Sequence, residues 1–79
     1  MHPYKNKSGK ESGVTAYSIG RTYIDVRFSN GAEYRYSNKS AGKENIEWMK
    51  KLANNRQGLS TFISQHKPPY ERILKQKDD

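Results

Sequence analysis

The sequence predicts a single α+β domain: a three-stranded antiparallel β-meander followed by two helices packed on one face of the sheet. Three observations predict it. Residues 14–37 read as three short runs of β-type composition separated by turn residues. Apolar residues within 44–56 fall on one arc of a helical wheel. The chain has 79 residues, 32% of them hydrophobic, with a mean hydropathy of -1.18, so it can build one modest core.

Residues 1–12 are polar and interrupted by Ser8-Gly9 and Ser12-Gly13; they read as a flexible lead-in. The first strand is "VTAYSI", 14–19, and Gly20-Arg21 makes the turn. "TYIDVRF", 22–28, alternates Ile24, Val26 and Phe28 against Tyr23, Asp25 and Arg27. "AEYRYS", 32–37, returns after "SNG". Two turns compete here, and the turn fixes which face each side chain takes. A two-residue Asn30-Gly31 turn pairs Ser29 with Ala32 and sets Glu33 and Arg35 across from Phe28 and Val26. A three-residue loop with Gly31 left-handed pairs Phe28 with Ala32 instead. Val26 then faces Tyr34, Ile24 faces Tyr36, Arg27 faces Glu33 and Asp25 faces Arg35. Each matched cross-strand pair contributes roughly 0.2–1 kcal/mol, and all five favour the longer loop. Tyr34 and Tyr36 are then core residues, and Tyr23, Asp25, Arg27, Glu33 and Arg35 form the outward strip.

Residues 37–44 read as a loop. The helix over 44–56 turns Ile46, Trp48, Met49, Leu52 and Ala53 inward, and Gly58 stops it. A short helix over 60–66 takes Ser60 as its N-cap. Pro68 and Pro69 end it, "YERIL" makes one last turn, and the tail frays. The domain therefore spans 13–74, with 1–12 a flexible segment and 75–79 a frayed tail.

The formal net charge of +7 is spread along the chain: residues 1–40 carry +4 and 41–79 carry +3. That balance points to an anionic partner, nucleic acid first. The chain has no cysteine, which excludes disulfides and thiolate zinc sites and suits a reducing cytoplasm. No segment has the ~18 apolar residues of a membrane span.

These residues also carry a likeness. A strand ending in Phe with a turn Gly, the central Tyr34-Arg35-Tyr36, an apolar helix, and an "FI…KPPYERI" tail resemble the KTSC domain family. That family is a small domain at the C-terminus of some lysyl-tRNA synthetases and in stand-alone bacterial proteins. Its Tyr-any-Tyr motif is matched by Tyr34 and Tyr36, and the likeness spans roughly 13–74. It departs at the longer connection before the helix, where Ser40 stands for the usual Pro. The resemblance implies RNA binding, through the synthetase context.

Catalytic and metal chemistry find little material. His2 lies in the lead-in, and His66 suits the end of a short helix. Ser60 and Ser64 near His66 have no acid to orient the imidazole. Asp25 and Glu33 each face an arginine, which makes a poor general acid. No glycine-rich phosphate loop is present. The chain thus reads as a non-enzymatic binding module with no cofactor and no metal. The expected nucleic-acid contacts are Tyr23, Arg27, Arg35, Lys50, Lys51 and Arg56. A second basic cluster is Lys67, Arg72, Lys75 and Lys77. Trp48 is expected as a core wedge. The alternative is a protein-interaction module using the edge of strand 14–19 or the Trp48 region.

Overall fold

In the computed structural model, which describes residues 1–5 and 13–77, the central hairpin turns at Gly31. Its φ of 91° suits a residue without a Cβ. The Phe28 N–H donates to the Ala32 carbonyl at 2.8 Å, and the Gly31 N–H donates to the Phe28 carbonyl at 2.9 Å. This three-residue loop sets β3 (Tyr23–Phe28) against β4 (Glu33–Ser37). Val26 faces Tyr34, Ile24 faces Tyr36, Asp25 faces Arg35 and Arg27 faces Glu33. The register is the one that the cross-strand pairs favour. β2 (Val14–Ile19) lies on the other side of β3 with a bulge between Val14 and Ala16. The bulge sets Val14 across from Phe28 and Ala16 across from Arg27.

Among the described residues the sheet has five strands, not three: β1 (His2–Pro3) and β5 (Arg72–Lys75) extend it to the order β1-β2-β3-β4-β5, with every neighbour antiparallel. β1 (His2–Pro3) pairs with β2, so the expected lead-in begins as an edge strand. The next residue, Tyr4, is buried in the core. A two-residue strand containing proline has no alternation to detect, so polar composition suggests a free segment instead. Residues 6–12 lie outside the described residues. At the other end, the expected last turn after the two prolines is instead β5 (Arg72–Lys75), extended along β4. Residue 75, where the sequence predicts a frayed tail to begin, still belongs to that strand; 78 and 79 lie outside the described residues.

The described residues form three helices, not two. α1 (Asn38–Ala41) occupies the stretch expected as a loop. The Ser37 hydroxyl accepts from the Ser40 N–H at 3.1 Å, and the Ser40 hydroxyl accepts from the Ser37 N–H at 3.1 Å. This is a capping box with Ser in the place usually held by Glu or Gln. α2 (Lys43–Asn55) buries Ile46, Met49 and Ala53 on one face. It ends at Arg56, itself left-handed with a φ of 55°. α3 (Leu59–His66) starts from Gly58 at a φ of 85°, so Ser60 is not its N-cap. The buried Leu59 N–H donates instead to the Tyr4 hydroxyl at 3.2 Å. No helix among the described residues is long and apolar enough to cross a membrane.

The core lies between the sheet and the helices. Ile24, Val26 and Tyr36 meet Ile46, Met49, Ala53 and Leu59, and Tyr4 and Val14 complete the cluster. Tyr36 is 3% exposed. Tyr34 packs between Phe28, at a centroid distance of 5.5 Å, and Tyr70, stacked on it at 4.8 Å and 11°.

Candidate nucleic-acid interface

The strand pairing that buries Ile24, Val26 and Tyr36 turns Tyr23, Asp25, Arg27, Glu33 and Arg35 to the other sheet face. Their charges satisfy one another there. Arg35 donates twice to Asp25, Nε to Oδ1 at 2.8 Å and Nη2 to Oδ2 at 3.0 Å. Arg27 Nε donates to Glu33 Oε2 at 3.2 Å. The hydrogen bonds to Asp25 hold the Arg35 guanidinium above its ordinary pKa. A bidentate pair of this kind is the strong form of an ion pair.

Tyr23 is no open platform. The Arg35 guanidinium carbon lies 4.1 Å from its ring centroid. The ring also rests against Gly20, where an added Cβ would overlap three ring carbons. The expected base-stacking residue is thus held between a turn and a guanidinium.

The helix layer carries the other expected contacts. Lys50 Nζ donates to the Arg21 carbonyl at 2.9 Å and lies 4.0 Å from Glu47, which ties α2 to the β2–β3 turn. Its side chain is largely covered. Lys51 and Arg56 are exposed, and Lys51 Nζ stands 5.3 Å from the centroid of the Trp48 ring. The six expected residues therefore do not share one surface. Tyr23, Arg27 and Arg35 belong to the outer sheet face, and Lys50, Lys51 and Arg56 to the helix layer.

Trp48 is the residue that sequence reasoning misplaced. It is 54% exposed, not a core wedge. Ile46, Met49 and Ala53 already fill the inward arc of α2, and Trp48 at the margin of that arc is left outside. That marginal position was the available signal. The indole stands between two surface depressions. Lys43, Lys51 and Asn54 border one, and Leu52, Phe62 and His66 border the other. Phe62 and His66 stack at 4.3 Å within the second.

Among the described residues, no three His, Cys, Asp or Glu side chains come together as a metal ion would need. No protein-family model, curated protein or solved structure matches this chain.

Proposed function

We propose that this chain is a small, non-enzymatic cytoplasmic module that binds single-stranded RNA or other single-stranded nucleic acid along α2. The indole of Trp48 carries the reading: it remains 54% exposed even with the Lys51 ammonium 5.3 Å over its ring. A base has a flat face in any sequence, and an accessible aromatic ring stacks on it with little preference. Lys43, Lys51 and Arg56 are exposed cations along the same helix and its C-cap, and they supply the phosphate contacts. Tyr23, Arg27 and Arg35 are scaffold in this reading, because their partners lie within the sheet. The KTSC likeness is part of the same proposal. Its Tyr-any-Tyr residues, Tyr34 and Tyr36, serve the core, so binding falls to the helix layer.

Trp48 is the only tryptophan, so its emission reports binding directly. A single-stranded uridine oligomer should quench it at low salt. Three neutralised phosphates would give a log-log salt slope of about -2. Trp48→Ala, followed by amide shifts, should weaken binding by roughly 1–3 kcal/mol. An oligomer that leaves the emission unchanged at low salt, or an affinity indifferent to salt, would defeat the proposal.

A second reading has its own observation. Leu52 and Phe62 beside Trp48 make one wall of that ridge apolar, as a protein partner would use. Salt-insensitive quenching by a protein partner, with no response to oligomers, would select it.

A further inference from the structure

We infer that β5 is a docking edge for an extended, acidic segment of a partner protein, which would add a sixth strand to the sheet. Among the described residues the sheet order leaves two edges, β1 and β5. β1 covers the edge of β2 over only two residues, one of them Pro3, whose nitrogen donates nothing. β5 is longer, pairs with β4 on one side with a bulge at Leu74, and has all four residues exposed, so its free edge is regular over Arg72 and Ile73 and kinks at Leu74. Such a strand directs alternate N–H and C=O groups away from its neighbour, ready for another strand.

Apolar side chains flank that edge. Tyr70, Ile73 and Leu74 are 48%, 38% and 36% exposed. Ile73 pairs across from Tyr34, and Tyr70 stacks on Tyr34, so this margin is continuous with the core. An incoming strand would extend a surface that the fold has already begun.

Charge selects the occupant. Arg72 lies across from Arg35 and Lys75 across from Glu33, but Arg35 and Glu33 already hold Asp25 and Arg27. Neither Arg72 nor Lys75 makes an ion pair with another described residue. Lys77 adds a third cation just beyond the strand. A second copy pairing antiparallel about Ile73 and Leu74 would set Arg72 against Lys75 of its twin. Like charges directly opposite are destabilising. The cations that discourage self-pairing are the ones an acidic strand would meet. The edge belongs to the sheet layer and Trp48 to the helix layer, so this inference does not rest on nucleic-acid binding.

The probe is a seven-residue peptide alternating Glu and Val, titrated into the full chain while backbone amide shifts are followed. Shifts should centre on 71–77 and β4 and leave 48–51 unmoved. The same peptide with Lys for Glu should not bind. N-methylation of one alternate set of peptide nitrogens should weaken binding on the order of tenfold or more, and methylation of the other set should not. Arg72→Glu with Lys75→Glu should switch the preference to the Lys peptide, and both positions are exposed enough to spare the fold. No binding, shifts centred on α2, or indifference to which nitrogens are methylated would overturn the inference. So would sedimentation showing a dimer held through β5.

Discussion

Tyr36 carries a phenol inside a core that otherwise holds few polar groups. Burial pushes its pKa up to about 12, and the neighbouring Tyr34 and Tyr70 phenols act in the same direction. The unfolded chain would ionise this phenol near pH 10. The stabilising difference is therefore complete below pH 10 and is lost as pH rises through about 12. Between pH 10 and pH 12 the loss is on the order of 1–2 kcal/mol. Urea titrations at pH 9 and pH 11.5 should show that loss, and Tyr36→Phe should reduce it. An unchanged pH dependence in Tyr36→Phe would refute the assignment. Gly20 makes a second test at this scale. A Cβ there would meet the Tyr23 ring, which Arg35 holds from above. Gly20→Ala should cost about 1–3 kcal/mol through overpacking. Adding Tyr23→Ala to that variant should recover part of the cost, whereas independent sites would simply add.

The helices test where caps reside. α3 has no cap from its own neighbours, because the Tyr4 hydroxyl accepts from the Leu59 N–H across 55 positions of chain. Tyr4→Phe leaves a buried N–H unpaired and should cost about 1–3 kcal/mol. Ser60→Ala, the substitution that sequence reasoning marks as costly, should stay within about 0.5 kcal/mol. Ser37→Ala should cost about 0.5–2 kcal/mol, since it opens the box at α1. Chemical denaturation of the three variants checks the order. These elements also show what the chain discloses by itself. The hairpin was legible because five cross-strand pairs and a left-handed glycine agree on one register. α2 was legible because its buried residues repeat at helical spacing. β1 and β5 were not, because two and four mostly exposed residues carry no period and gain their structure from a neighbour. The candidate site divided in the same way. The sequence offered every cation, but the ion pairs that occupy Arg27 and Arg35 depend on side-chain geometry. The exposure of Trp48 depended on which residues filled the helix's inward arc first.

At the scale of the molecule, the two chain ends form the two edges of one sheet, yet they are not equivalent. The N-terminal end contributes a buried ring and the hydrogen bond that starts α3. The C-terminal strand contributes four exposed residues along β4. A domain of this size has a net stability of only a few kcal/mol, so the difference decides whether a shortened chain folds. Removing residues 1–5 deletes an aromatic core residue, a change that typically costs about 3–5 kcal/mol. That should leave a large share of the molecules unfolded at 25 °C. Removing 71–79 gives up the β4–β5 ladder but no buried side chain among the described residues 71–77, and should cost about 1–2 kcal/mol. Circular dichroism and urea midpoints of the two truncations would compare them. The C-terminal truncation should also keep its response to a single-stranded oligomer and lose the acidic peptide, because Trp48 and β5 lie in different layers. If it lost both, the two surfaces would have to be one, and the division between helix and sheet edge would fail.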